Sequence, residues 1–567
     1  MPTIDFPKQD LETLIGHTFT LEELDKWILL AKGEIKDYEP ATDTLKIELQ
    51  DTNRPDLWCT EGIARQIRTK LDEKLLPYSF FKPAKKTLDQ IKVGHGLHVI
   101  RQYIGGFKAT GYTLSDRGLA QLIQTQEKLA DIFGRKRKSV SIGIYRLDPI
   151  QFPVTYTIAD PDTVRFTPLG FDEPMTLTEI LECHPKGIEY KSTLIGQDGK
   201  QHCPLLTDAN GTILSFPPII NSREIGEVQV GDKNLFVEVT GTDLRMVLHA
   251  INILAANFAD RKAKIDSIEV LYPAPTEFGK SIHVPYDCGS EIEVPQEIIN
   301  ATLGNSLTLN EGKQALIEYG YQVKSHVKTL YVKQPPYRDD LMHPVDAIED
   351  IAISTGYNAF STALPSEFTV GSLSQSEIIS DKVRELMIGF GFQEILSNIL
   401  SSQEDLAIRM NLPTTDIIEV DNVMSLTYSC VRQWIIPSLL RVEAASSHSF
   451  YPHCLFEAGE IVQPDPNTES GTRTLNAIGA LLAHPNANFS EIHSYVDLLF
   501  YTLGLSYKVK PTTHPSFIDG RVGQLTLNQE PCGLLGELHP QVLDNWQITM
   551  PCTIFELRLD ALQADNI

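Results

Sequence analysis

The segment Tyr337-Arg-Asp-Asp-Leu-Met-His-Pro-Val-Asp-Ala-Ile-Glu-Asp350 constrains the fold more than any other stretch of the chain. Pro344 suits the first helical position, where its missing N–H is no loss, and His343 stands before it. Val345, Ile348, Ile351 and Ala352 then make one apolar stripe, so the helix has a face to bury. Asp346, Glu349 and Asp350 recur at i, i+3 and i+4 and share a face, and Asp340 can fold back over it from just ahead of the helix. Carboxylates at that spacing repel one another unless a cation sits among them. An all-oxygen set favours a hard divalent ion, Mg2+ before softer metals. The same spacing also fits a solvated acidic face with Asp near the N-terminus for helix-dipole reasons.

With 567 residues the chain is long enough for about four domains. A hydrophobic content of 42% and a charged content of 22% suit several conventional cores and exclude a disordered or fibrous chain. The start carries no basic stretch followed by an apolar run, and the densest apolar patch, 477–483, is far below the ~20 residues of a membrane helix. The expectation is a soluble cytoplasmic protein. The eight cysteines form no Cys-x-x-Cys pair and read as reduced thiols. Cys183-His184 and His202-Cys203 do not have zinc-finger spacing. A net charge of −25 argues against a dedicated nucleic-acid binder, although phosphate contacts need only a local basic stripe. Arg135-Lys-Arg-Lys138, after the helical stripe that Gly134 closes, is such a stripe. It equally suits a cation cluster at a helix C-terminus.

Four regions follow from periodicity and turn signals. Residues 1–88 open with a helical pattern at Leu11, Leu14 and Ile15, then Thr20 and Glu23 as a capping box, an alternating strand at 45–49 and a helix at 61–71. Residues 83–88 are the candidate linker. Residues 89–265 mix short strands (154–158, 212–216, 235–239) with a helix at 244–258. Residues 266–365 hold a strand at 267–272, a helix opened by Thr308 and Glu311 and stopped by Gly320, a β-like stretch at 323–332 and the acidic helix. Residues 366–567 alternate helices (377–389, 496–503) with strands (454–457, 524–527, 553–559).

The pattern Pro336-Tyr-Arg-x-Asp340, Asp346, Glu349-Asp350, Ile353 and Gly356-Tyr-Asn358 resembles the magnesium-binding domain of phenylalanyl-tRNA synthetase β subunits. Asp51-Thr-Asn-Arg-Pro-Asp-Leu resembles their N-terminal motif. Phe216-Pro-Pro-Ile-Ile-Asn221 and Phe236-Val-Glu-Val-Thr-Gly-Thr-Asp243 resemble their proofreading domain, and Gly533-Leu-Leu-Gly-Glu-Leu-His-Pro540 their C-terminal part. The order and spacing extend the resemblance over essentially the whole chain, in the shorter archaeal/eukaryal form without the bacterial anticodon-binding extension.

The resemblance implies an α/β and α+β multidomain fold. Residues 1–88 would be an N-terminal α/β domain and 89–265 a mixed α/β editing domain. Residues 266–365 would be a small helical magnesium-binding domain, and 366–567 a class II synthetase-like antiparallel sheet with helices. It makes Asp340, Asp346, Glu349 and Asp350 the Mg2+ ligands. It places Leu206, Ser215, Glu238 and Thr240 in an editing pocket where Glu238, Asp in many relatives, accepts from a tyrosine hydroxyl. Leu455-Phe-Glu-Ala-Gly459 stands where a working class II site carries an ATP-clamping arginine, and neither Glu nor Ala replaces a bidentate phosphate clamp. The last domain should therefore not activate amino acids, leaving ATP to an α subunit in an (αβ)2 tetramer that charges tRNA(Phe). Arg135, Lys136, Arg137 and Lys138 become candidate tRNA contacts. A free-standing editing hydrolase and a scaffold with a decayed editing site remain alternatives.

Overall fold

The computed structural model of the chain describes all residues except 1, 51–52, 74–76, 83–88, 305, 363, 416 and 563–567. The linker expected at 83–88 lies outside the described residues. Two units are distinct, Met1–Ala363 and Leu364–Ile567. No helix among the described residues is long and apolar enough to cross a membrane.

The first unit opens with a strand, Thr3–Pro7, where a helix was the first expected element. Its Ile4 and Phe6 alternate inward, too short a pattern for periodicity to register. It pairs antiparallel with Thr44–Leu49, which also pairs with Gly33–Glu39. Helices Lys8–Ile15, Leu21–Ile28 and Thr60–Asp72 accompany this sheet. The second begins with the predicted Thr20/Glu23 box, both reciprocal bonds formed.

A ten-stranded sheet follows. From one end its strands are Ile220–Asn221, Ile213–Phe216, Cys203–Thr207, Val154–Ala159, Gln90–Val93, Lys264–Thr276, Tyr103–Thr110, Asn234–Gly241 and Val140–Arg146. The tenth, Gly279–Val284, pairs with Lys264–Thr276. Gln90–Val93 runs parallel to both neighbours, and the other pairs are antiparallel. The strand Lys264–Thr276 crosses the expected boundary at 265 and belongs to this sheet. Its side chains Ile268 and Val270 are buried in the same core as the sheet's other strands. The helix Leu244–Asp260 is apolar on nearly every side and buried along most of its length, as an all-round apolar helix must be.

Residues 291–357, expected to be helical, contain a three-stranded antiparallel sheet of Glu291–Pro295, Thr329–Lys333 and Gln322–His326. The β-like stretch read at 323–332 is two strands of a hairpin whose turn holds Val327 at φ +53°. Helices Gln296–Leu303, Leu309–Glu318 and Pro344–Thr355 complete it, the second with its predicted Thr308/Glu311 box.

The second unit has a seven-stranded sheet: Gln393–Glu394, His453–Pro464, Thr472–Ala483, Cys552–Arg558, Glu530–Leu538, Phe517–Leu527 and Tyr507–Pro511. Only the first pair is parallel. Helices Gln375–Gly389 and Phe489–Leu503 contribute to one core against this sheet, and Ile436–Ala445 contributes to another.

Candidate functional site

The ten-stranded sheet curls until its two ends approach each other. Tyr145, on the last strand, lies 2.7 Å through its hydroxyl from Ser215 Oγ near the opposite end, and Asn221 Nδ2 donates to the Ile144 carbonyl at 3.3 Å. Between these ends lies a cavity of about 250 Å3 lined by Ser141, Ile142, Ile144, Ser215, Phe216 and Glu238, with Arg137 and Lys186 among its polar lining. An apolar cavity near 150 Å3 already holds a benzene ring.

Glu238 sits on the strand Asn234–Gly241 with Gly106 and Gly143 as its cross-strand partners. The glycines keep room for it: a Cβ on Gly143 would lie 2.4 Å from Glu238 Oε1 and 2.2 Å from the Tyr145 hydroxyl. Glu238 is buried and Oε1 accepts from the Tyr145 hydroxyl at 2.9 Å, while buried Oε2 has no partner. Burial pushes its carboxyl up to about 7, against the opposing pulls of the Tyr145 bond and the Arg101 charge. A buried carboxyl with an unpartnered oxygen on the wall of a ring-sized cavity can take a hydroxyl donor there.

Of the four residues assigned to this pocket by resemblance, Ser215 and Glu238 line the cavity and the other two do not. Leu206 is fully buried behind it as the cross-strand partner of Ser215. Thr240 is fully buried, and its hydroxyl accepts from Arg101 Nε at 2.9 Å. Arg101 also donates to the carbonyls of Thr240, Arg137 and Lys138. Burial pulls this guanidinium down to about 10. Tyr145, Gly143 and Arg101 were not singled out by the sequence reading. An isolated glycine inside the strand pattern Val140-Ser-Ile-Gly-Ile-Tyr-Arg146 was the available signal of close approach.

The basic run divides. After a single π turn, Leu129–Phe133, Arg135, Lys136 and Arg137 take left-handed conformations with φ of 51°, 54° and 63°. Gly134 itself has φ −76° and is glycine for want of space, since a Cβ would lie 2.3 Å from the Val140 carbonyl oxygen. Arg137 donates to the Pro218 and Ile219 carbonyls at 3.0 Å and stacks 4.3 Å over Tyr190. It is a wall of the cavity and is already committed. Burial, then the Arg137 charge, lowers the Lys186 pKa.

The four acids around the helix Pro344–Thr355 do not converge. Arg338 grips Asp340 through Nε at 2.9 Å and Nη2 at 2.6 Å, and the same Nη2 donates to Asp350 Oδ2 at 2.7 Å. The Tyr321 hydroxyl donates to that Asp350 oxygen at 2.6 Å. Asp346 turns back to accept from the backbone N–H groups of Met342 and His343, closing a capping box with His343. Glu349 is half exposed and meets Lys32 at 3.1 Å. Among the described residues no group of three or more His, Cys, Asp or Glu is placed to share a metal ion. Arg338, from the same motif, is the cation between Asp340 and Asp350, and in this arrangement the four do not fit a common Mg2+. Burial would raise the Asp340 carboxyl, but the facing Arg338 outweighs it and holds it well below the usual range. Arg338 stacks 4.7 Å over Tyr321 and 5.7 Å over Tyr319, with Arg54 at 6.0 Å on the Tyr319 ring. Arg54 forms a buried bidentate pair with Asp56, so the described part of the 51–58 motif is anchored here.

In the second unit, Glu457 binds Ser397 Oγ at 2.6 Å and Arg432 at 2.7 Å, with both partners internal.

Comparison with known proteins agrees with this division. Residues 292–357 match the model of the tRNA synthetase B5 domain, and 361–559 that of the phenylalanyl-tRNA synthetase beta chain CLM domain. The chain is 40% identical over 568 residues to the phenylalanine–tRNA ligase beta subunit of Borrelia turicatae, covering 99% of this chain and 100% of that one. It is 38% identical over 584 residues to the same subunit of Thermococcus kodakarensis, each chain covered fully. A crystal structure of an N-terminal fragment of the phenylalanyl-tRNA synthetase beta subunit from Pyrococcus horikoshii matches with a TM-score of 0.58 and 40% identity. That match covers 63% of this chain and 100% of the fragment. With full-length likeness at this identity and both domain models in sequence order, the chain belongs to the phenylalanyl-tRNA synthetase β-subunit family.

Proposed function

We propose that this chain is the proofreading half of phenylalanine–tRNA ligase and hydrolyses Tyr-tRNA(Phe). The observation that carries the reading is Glu238, a buried carboxylate with one oxygen unpartnered at a cavity sized for an aromatic ring. An activation pocket for phenylalanine rejects tyrosine weakly, because an added hydroxyl is a small burden. A second site that binds that hydroxyl discriminates far more strongly, since phenylalanine leaves the acceptor unpaired. The cavity lining offers no His or Cys. Neither Ser141 nor Ser215 has a His beside it in that lining to take its proton, so water is assigned as the nucleophile: its oxygen bonds to the ester carbonyl carbon and the bond to the terminal ribose oxygen breaks. That ribose oxygen takes the proton, leaving free tyrosine and uncharged tRNA. Arg135, Lys136 and Lys138 are assigned to tRNA phosphate, while Arg137 shapes the cavity wall.

The unit Leu364–Ile567 is assigned to α-subunit packing without amino-acid activation, since Glu457 is saturated internally and Ala458 offers no phosphate clamp. ATP and its Mg2+ are then handled on the partner in a cytoplasmic (αβ)2 assembly. The test is deacylation of Tyr-tRNA(Phe) by the co-expressed subunits. Glu238→Ala should lose at least tenfold in rate with phenylalanine charging intact. Equal hydrolysis by the variant and the native enzyme sinks the reading.

A further inference from the structure

We propose that Tyr145 is the positioning residue that gives the Glu238 pocket its selectivity: it engages Oε1 of Glu238 and leaves Oε2 as the carboxylate oxygen without a partner. This rests on the proofreading reading above and names the group that makes it selective. A phenol carries one proton. An ionised Glu238 can only accept, so in that state the Tyr145 hydroxyl, within hydrogen-bond distance of both Ser215 Oγ (2.7 Å) and Glu238 Oε1 (2.9 Å), satisfies both in one arrangement. Ser215 donates to Tyr145, and Tyr145 donates to Glu238. The relay uses both hydroxyl protons inside the wall, the first on the Tyr145 oxygen and the second on Glu238 Oε1. Oε2 is left buried and unpartnered on a residue that lines the cavity. Tyr145 cannot swing away freely, because its ring stacks 5.7 Å from Phe236 and is fully buried. Gly143 completes the device, since any Cβ there would strike both the phenol and Oε1. A ligand hydroxyl at the ring's far end would supply the partner that Oε2 lacks, and a ligand without one leaves that oxygen unpaired.

The titratable groups around Glu238 are Tyr145, Tyr156 and Arg101, with Glu127, Arg137, Lys186 and Glu227 also lining the cavity. Tyr145 and Arg101 both favour ionised Glu238 against the burial that opposes it. Removing the phenol therefore moves the ionisation of Glu238 to higher pH.

The experiment measures deacylation of Tyr-tRNA(Phe) and Phe-tRNA(Phe) from pH 5.5 to 9 by the co-expressed subunits. It compares the native enzyme, Tyr145→Phe, Ser215→Ala and Glu238→Ala. Tyr145→Phe should raise KM for Tyr-tRNA(Phe) roughly tenfold, narrow the Tyr/Phe ratio, and displace the rising limb of the pH profile upward. Ser215→Ala, which breaks the relay one bond earlier, should move all three in the same direction by less. If Tyr145→Phe keeps the native KM, ratio and pH profile while Glu238→Ala is inactive, the assignment to Tyr145 is overturned and proofreading stands. If the native enzyme does not hydrolyse Tyr-tRNA(Phe), both fall together.

Discussion

Two buried carboxylates, Glu238 and Asp340, are handled in opposite ways, and the difference is measurable. Glu238 has no facing cation in direct contact, and burial raises it from 4.5 to about 7. The folded chain then binds a proton that the unfolded chain has released, so stability falls as pH rises from 4.5 to 7 and stays lower above. Glu238→Gln removes this penalty. Its stability relative to the native chain should improve across that window by on the order of 3 kcal/mol, read from denaturant titrations at several pH values. A pH-independent difference would refute it. Asp340 is held in the opposite direction by Arg338, so its contribution is full above pH ~4 and is lost as pH falls below that. Arg338→Ala should cost about 3–5 kcal/mol at neutral pH, because two carboxylates are left buried without a cation. It should also flatten the acid limb of the native stability profile. Retention of native stability would show that the pair is not an Arg-centred lock.

At the scale of elements, the turn after Leu129–Phe133 is a conformation that its residues do not favour. Three successive residues with side chains occupy the left-handed region, which costs roughly 1 kcal/mol each for residues other than glycine. Among the described residues the Lys136 side chain makes no hydrogen bond or ion pair, and its backbone N–H donates to the Asp131 carbonyl, so Lys136→Gly should raise stability by about 1 kcal/mol in chemical denaturation. Arg137→Gly relieves the same strain but loses both carbonyl contacts and the stack on Tyr190, so it should be no gain. If tRNA binding weakens in Lys136→Gly despite the added stability, the cation was kept at a conformational cost for its charge. Unchanged binding would assign the residue to the turn alone. The helix Pro344–Thr355 shows the converse economy, with Pro344 at its first position and Asp346 closing the box.

For the whole molecule, the division at Ala363 and Leu364 separates two sets of cores, each complete on its own side. Residues 1–363 and 364–567, produced separately, should each unfold cooperatively, and calorimetry of the whole chain should resolve two transitions. A single transition, with neither fragment folded, would contradict this. Helix starts at Thr20, Thr308 and Pro344, the buried helix Leu244–Asp260 and the strand at Thr44–Leu49 were legible in the sequence, because capping and periodicity are encoded within one or two turns. The acidic motif was legible as needing a cation. Its choice of Arg338 was not, since spacing counts charges without saying which side chain folds among them. The cavity was less legible still: Tyr145 lies 70 residues from Ser215 and 93 from Glu238, and it takes the pairing of two adjacent strands to set Tyr145 beside Glu238 and the curl of a ten-stranded sheet to bring Ser215 to them. Local hydrogen bonding and apolar spacing belong to the sequence by itself. Which buried group faces which belongs to the tertiary structure, because burial and pairing energies depend on neighbours that chain order does not specify.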